Sequence, residues 1–144
     1  MPRSHESALL ARAVAVMGLV GIAVIHLIDV PGKMEEIPFY GWLFLFLIVV
    51  STITAAALLF ADNMLAWLVA LGASAGPLIS YVVSRSVGLP LEHREEVGNW
   101  TEPLGLASLA VEGVVVLIAA GALARLTRAE RMPSGAPAVA TPLT

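Results

Sequence analysis

The stretch IPFYGWLFLFLIVVSTITAAALLFA, residues 37–61, decides the fold class of this chain. It contains 25 residues without a single charged side chain. An α-helix rises about 1.5 Å per residue, so a run of this length can cross a hydrocarbon core about 30 Å thick. The stretch is therefore predicted to be a transmembrane helix.

Three further apolar runs accompany it. Residues 63–84 are uncharged, residues 13–28 are uncharged but include His26, and residues 103–124 are interrupted only by Glu112. The composition agrees, with 58% hydrophobic residues, 13% charged residues and a mean hydropathy of +0.88. Soluble domains carry about 25% charged residues. We therefore predict an all-α, four-helix transmembrane bundle.

Local signals indicate where these helices begin and end. We expect them at about residues 8–30, 38–61, 63–85 and 101–126. The Pro31–Gly32 pair is expected to end the first helix, and Thr101 to cap the fourth. Asp62 or Asn63 can cap the third helix, and so short a turn makes the second and third helices antiparallel neighbours.

The basic residues predict the orientation. Five of the eight lie at the chain ends, and three lie on the opposite side of the bundle. The first group is Arg3, Arg12, Arg125, Arg128 and Arg131, and the second is Lys33, Arg85 and Arg94. The positive-inside rule then places both termini in the cytoplasm, in a multi-pass protein of the cytoplasmic (inner) membrane.

Residues 1–7 would be a short cytoplasmic segment. Residues 127–144, rich in Pro, Ala and Thr, are predicted to be a disordered cytoplasmic tail.

An acid lies deep in the fourth apolar run. Glu112 follows Glu102 by ten residues, or about 15 Å of helix, which places it near the bilayer midplane. An ionised, unpaired carboxylate there costs at least about 2.5 kcal/mol. Glu112 must therefore be protonated, paired, or turned towards a polar cavity. Ser108 lies one turn earlier on the same helix face.

Polar stripes on three helices predict a pocket. In the first helix His26 and Asp29 share a face, and in the third Tyr81 and Ser84 do, with Arg85 at the rim. Most of these polar residues lie in the half of each helix nearer the outer surface of the membrane. If the stripes face the interior of the bundle, they line a polar pocket that opens to the outside. Its predicted ligand-binding residues are His26, Asp29, Tyr81, Ser84, Arg85, Ser108 and Glu112.

Within this pocket Glu112 is the expected charge or proton site, with His26 or Arg85 as its partner. Asp29 and Arg85 are expected to form a charged gate at the rim. Structural roles stay open: Glu112 could simply bond Ser108, His26 could be interfacial, and Arg85 could extend to the headgroups.

A pair of glycines in the third helix bears on packing. The spacing Gly72-x-x-x-Gly76 permits close approach of another helix, either within the bundle or in a second copy. We expect the contact within the bundle.

Several kinds of chemistry have no support in the sequence. Cysteine is absent, which excludes thiolate sites, and no P-loop, GxSxG or HExxH motif is present. No second intramembrane histidine accompanies His26 for a bis-histidine haem, and no basic patch suggests nucleic acid.

His26, Asp29 and Glu112 are weak candidates for metal ligands. The acidic loop around His93 is expected to be solvated. No cofactor or catalytic residue is assigned.

Three segments carry a resemblance to a known group of proteins. They are VIHLIDVPGKMEEIPFYGWLF, ISYVVSRSVGLP and VGNWTEPLGLASLAVEG. Together they resemble a group of small four-helix integral membrane proteins of actinobacteria and related bacteria, which has no assigned activity. The resemblance implies the architecture and no mechanism. In size and helix number the chain is also similar to DoxX-type membrane proteins, at the level of fold alone.

Two functional expectations follow. The first is a small membrane protein that binds a cation, a proton or a small polar or quinone-like ligand in the outward-facing pocket. The second is a non-catalytic accessory subunit or assembly factor of a larger membrane complex. The lipid bilayer is the expected surrounding in both, and a homo-oligomer is an open alternative.

Overall fold

Four long helices make up the described part of the chain. The computed structural model describes residues 2–91 and 96–131. The helices are α1 (Pro2–Glu36), α2 (Pro38–Phe60), α3 (Met64–Val87) and α4 (Pro103–Arg131). Each is long and apolar enough to cross a membrane. The predicted all-α, four-helix transmembrane class is confirmed.

The predicted end of the first helix is wrong. α1 continues through the Pro31–Gly32 pair to Glu36. A proline inside a helix removes one backbone donor, and here the apolar helix continues despite that loss. The stop comes instead from Pro38, because the residue before a proline is pushed out of the helical region. Ile37 is accordingly extended, with φ −144° and ψ 92°.

Two helix starts also differ from expectation. α1 begins at Pro2 and not near residue 8, so the described residues of the predicted N-terminal segment are helical. A proline fits the first turn of a helix, where its missing N–H has no partner to lose. At α4 the amide of Leu106 donates to the carbonyl of Glu102, at 3.0 Å, which makes Glu102 and not Thr101 the capping position. Pro103 excludes Glu102 from the helix in the same way that Pro38 excludes Ile37.

The last helix is longer than predicted. α4 continues to Arg131, so the expectation of disorder is wrong for residues 127–131. The first proline after the apolar run is Pro133, and nothing before it breaks the helix. The remaining tail, residues 132–144, lies outside the described residues. At α3 the expectation holds, because the Asn63 side chain accepts from the Ala66 amide at 2.9 Å.

Tight packing joins α1 to its neighbours. α1 packs closely against α2 and α4, and α3 against α4, while α2 and α3 touch less extensively. The α1–α4 crossing depends on glycine, because a Cβ at Gly18 would collide with Val115 and one at Gly21 would lie 3.3 Å from Val111. Around this crossing Leu19 is fully buried.

The Gly72-x-x-x-Gly76 pair does not make the expected internal contact. A Cβ at either position would meet nothing within 4 Å, and both glycines are exposed. The close helix approach involves Gly18 of α1 instead, because Val115 of α4 fills the space where a Cβ on residue 18 would lie. Gly72 and Gly76 instead border the cavity described below.

A polar clamp closes one end of the bundle, which we call the turn end. Arg125 Nη2 donates to Asp62 at 2.7 Å, and Trp67 Nε1 donates to Asp62 at 2.6 Å. Arg12 Nε donates to the Leu58 carbonyl at 2.8 Å. Partial burial opposes ionisation of Asp62, but the bonds from Trp67 and Arg125 prevail and hold the pKa of Asp62 below its ordinary value. The clamp ties α1 and α4 to the α2–α3 turn.

Candidate functional site

A large cavity lies within the bundle and extends to the end opposite the clamp, which we call the loop end. Its volume is about 900 Å³. All seven residues predicted from the polar stripes line it: His26 and Asp29 from α1, Tyr81, Ser84 and Arg85 from α3, and Ser108 and Glu112 from α4. The structure therefore brings three separate stripes to one space.

At the inner side of this cavity lies a buried group of three side chains, the inner cluster: His26, Ser108 and Glu112. Glu112 is 1% exposed and His26 is 5% exposed. Ser108 Oγ donates to Glu112 Oε1 at 2.5 Å, and His26 Nε2 lies 3.9 Å from the same oxygen. Of the two predicted partners of Glu112, the structure selects His26.

The glycine crossing of α1 and α4 explains how His26 reaches Glu112. The two helices run antiparallel, so each step forward along α1 corresponds to a step backward along α4. Gly18 stands opposite Val115 and Gly21 opposite Val111. Two turns beyond Gly18, His26 therefore stands opposite the Ser108–Glu112 turn.

The protonation pattern of the His26 ring follows from its other contact. Nδ1 lies 2.9 Å from the carbonyl oxygen of Ile22. A carbonyl can only accept, so Nδ1 carries the proton, and Nε2 of the neutral ring presents a lone pair towards Glu112. Phe44 of α2 packs edge-on against the ring, at 4.7 Å between centroids. The imidazole is thus oriented from both α1 and α2.

An oxygen atom that lies beside the His26–Glu112 pair can contact both side chains. At 3.9 Å the two side chains are beyond hydrogen-bond distance. One oxygen atom can lie about 2.8 Å from both Nε2 and Oε1 and bridge them. Within the described part of the chain, His26 is the sole basic side chain within ion-pair distance of Glu112. The inner cluster is consequently able to hold a small polar group from a ligand.

Arg85 organises the rim. Its guanidinium is 7% exposed and forms ion pairs with Glu96 and, at 2.9 Å, with Glu102. The guanidinium also lies over the Tyr81 ring, 4.8 Å from the centroid. Its backbone carbonyl accepts from the Gly98 amide at 2.8 Å, where Gly98 has φ +87°. Arg85 therefore folds the described part of the α3–α4 loop back onto the bundle.

Asp29 and Arg85 both line the cavity, but they form no ion pair with each other among the described residues, and the prediction of Arg85 as the partner of Glu112 is wrong. The reason is proximity: the loop returns Glu96 and Glu102 to Arg85, while Asp29 lies on α1 and takes no part in the ion pairs of the described residues. Glu102 could have been found from sequence, because Arg85 near the end of α3 and Glu102 at the start of α4 carry opposite charges on either side of one loop.

Two buried polar atoms at the rim form no hydrogen bond of ordinary geometry with the described residues, although their side chains lie against each other. They are the Tyr81 hydroxyl and Arg85 Nε. Both side chains line the cavity. They offer a second polar contact to a bound molecule, apart from the inner cluster.

The weak metal-ligand candidates do not form a site. Within residues 2–91 and 96–131, no group of three or more His, Asp or Glu side chains could hold an ion. His26 and Glu112 approach each other, but Asp29 does not complete a set. The loop candidates around His93 lie outside the described residues.

Sequence reasoning missed the wall that α2 contributes. Its cavity-lining residues are Phe39, Tyr40, Leu43, Phe44, Phe46, Leu47 and Val50. They follow helical spacing along one face. Small residues mark the buried face of α2, namely Gly41, Ser51, Thr54 and Ala55, but the cavity-lining face is large and apolar and resembles a face exposed to lipid. At the loop end the Tyr40 hydroxyl donates to the Pro90 carbonyl.

Comparison of the chain with protein-family models, with curated proteins and with solved structures gave no match, so the function is argued from the site itself.

Proposed function

We propose that this protein binds a small molecule in an outward-facing intramembrane pocket, with the inner cluster as its polar anchor. The observation that carries the proposal is the convergence of all seven polar residues on one cavity whose inner side holds a fully buried acid. Ionisable residues within membrane helices that face a cavity mark substrate and ion pathways and proton relays.

The size of the cavity selects among the ligands that the sequence leaves open. A water-sized particle occupies about 30 Å³ in the liquid, whereas pockets for organic ligands measure about 300–1,000 Å³. At about 900 Å³ the cavity falls in the second range. Its α2 wall is almost entirely apolar. A small polar or quinone-like organic molecule therefore fits better than a lone cation or a proton.

The charge distribution supports an orientation for the pocket. Arg12 and Arg125 lie at the turn end, near the start of α1 and the end of α4. Under the positive-inside rule this end faces the cytoplasm and the cavity opens towards the outer half of the membrane. The proposed location is the cytoplasmic membrane of a bacterium.

The test is small-molecule mass analysis of the protein purified natively in a mild detergent. We expect one organic species near stoichiometry in the wild type, and at least about tenfold less of it in Glu112→Gln and in Ser108→Ala, equivalent to about 1.4 kcal/mol of binding. Ser74→Ala is the matched control, since Ser74 is equally buried but bonds Ala70 and does not line the cavity.

Two outcomes would overturn the proposal. One is an empty wild-type protein that also binds no added amphiphile. The other is a stoichiometric protein partner with an empty cavity, which would favour the accessory-subunit role instead.

A further inference from the structure

The cavity reaches the outer surface of the bundle between α2 and α3. Each of these helices contributes exposed residues to the cavity lining, in one stripe along each helix. They are Phe39, Leu43 and Phe46 on α2 and Gly72, Gly76 and Ser80 on α3. We call this opening the α2–α3 slot.

Small residues keep the slot open. A Cβ at Gly72 or Gly76 would meet nothing within 4 Å, and α2 and α3 pack less extensively than the other neighbouring helices. Phe46 on the opposite edge is large and exposed. The slot is therefore bordered by the aromatic ring of Phe46 on α2 and by the glycine backbone at Gly72 and Gly76 on α3.

The slot lies at membrane depth. α3 has 24 residues, and Gly76 is midway between its ends at Met64 and Val87. A helix of that length spans the hydrocarbon core, so the surroundings of Gly76 are lipid and not water. A molecule that passes through the slot must come from the bilayer.

The inner cluster selects the head group of such a molecule. When the His26 ring is neutral, its Nε2 is an acceptor because Nδ1 donates to the Ile22 carbonyl, and the Glu112 carboxyl already accepts from Ser108. A hydroxyl group beside Nε2 and Oε1 can donate its hydrogen to Nε2, and its oxygen accepts from the Glu112 carboxyl when that carboxyl is protonated. A phosphate or carboxylate head would instead bring negative charge beside a buried acid that, within the described chain, has no lysine or arginine in reach.

The further inference rests on the proposed function and narrows its ligand. We infer that the ligand is a lipid-phase molecule with an uncharged hydroxyl head, either a quinol or a long-chain isoprenoid alcohol. It enters sideways through the α2–α3 slot. Its hydroxyl lies between His26 and Glu112, and its chain occupies the slot between Phe46 and Gly76. Binding alone is implied, and no bond is made or broken.

The experiment measures equilibrium binding to the full chain in lipid nanodiscs. The probes are decylubiquinol, its oxidised form decylubiquinone, which lacks the hydroxyls, and geranylgeraniol. Binding of either hydroxyl probe at least about tenfold more tightly than decylubiquinone supports the head-group assignment. Which of the two binds identifies the source of the hydroxyl. Equal binding of the quinol and the quinone, with no binding of the alcohol, would overturn it.

Slot variants test the route and the place of the chain. Gly72→Leu and Gly76→Leu fill the slot, and Gly121→Leu is the matched control, because Gly121 is also exposed and free of neighbours within 4 Å but does not line the cavity. We expect binding at least about tenfold weaker in the slot variants and unchanged in Gly121→Leu. Leucine favours helix over glycine by almost 1 kcal/mol, so equal or higher melting temperatures will show that the fold is intact.

The two proposals fail in different ways. If Glu112→Gln weakens binding while both slot variants bind like the wild type, the pocket is real and entry through the slot is refuted. If the wild type binds no probe and holds no native organic ligand, the proposed function itself is refuted.

Discussion

Replacing Gly18 by alanine should destabilise the bundle and misplace the inner cluster. The added Cβ would collide with Val115 at the α1–α4 crossing. Overpacking of this kind costs about 1–3 kcal/mol, and the better helix propensity of alanine returns about 1 kcal/mol. The net loss in the free energy of unfolding should be about 0–2 kcal/mol. Gly121→Ala, which gains the same propensity without a collision, should be about 1–3 kcal/mol more stable than Gly18→Ala.

A double-mutant cycle makes this prediction specific. Val115→Ala removes a fully buried side chain and carries its own cost, but it also removes the methyl groups that the new Cβ would strike, so the double variant should lose less stability than the sum of the two single variants. The coupling energy should be about 0.5–3 kcal/mol and favourable. The assay is reversible denaturant unfolding in detergent micelles, followed by circular dichroism. Ligand retention should fall in Gly18→Ala and not in Gly121→Ala, because the same crossing sets His26 against Glu112. Equal stabilities of the two glycine variants, or additive effects in the cycle, would refute the role assigned to the crossing.

Three further predictions concern the ends of the bundle. The pKa of Asp62 is lowered in the folded state, so the stability that Asp62 contributes is present above the unfolded pKa of about 3.9 and is lost as the pH falls through the folded pKa. The difference in unfolding free energy between wild type and Asp62→Asn should therefore narrow from pH 7 to pH 3. A constant difference would contradict the clamp. Arg85→Ala should make the α3–α4 loop more susceptible to limited proteolysis, because Arg85 pairs with Glu102 at the end of that loop. Arg128→Ala, on the exposed side of α4, is the control and should leave the cleavage rate unchanged. Equal cleavage rates in the two variants would show that Arg85 does not hold the loop. Asn63→Ala should lower the unfolding free energy by about 1 kcal/mol by removing the cap of α3, and a loss below about 0.3 kcal/mol in the same denaturant assay would argue against the cap.

Much of the candidate site could be predicted from sequence because helical periodicity is local. The spacing of Ser108 and Glu112 places them on one face of one helix, whatever the helix packs against. The same holds for His26 and Asp29. A buried acid also needs a polar surrounding, so the polar faces of different helices had to turn towards one another.

The parts that sequence missed depend on long-range contacts. Hydropathy does not distinguish the cavity-lining face of α2 from a face exposed to lipid, because both are apolar. Nothing local shows that Gly18 meets Val115 while Gly72 meets open space, since both are glycines in apolar helices. The pairing of Arg85 with Glu96 and Glu102 depends on the path of the loop.

Uncharged length and residue spacing act within a single helix, so the four membrane-spanning helices and their polar faces can be read from the amino-acid sequence. Only the tertiary structure decided that His26 and not Arg85 faces Glu112, and that the α2–α3 side is left open. The physical reason is that the crossing of α1 and α4 is set by which small residue lies opposite which large one, and that match exists only once the helices are packed.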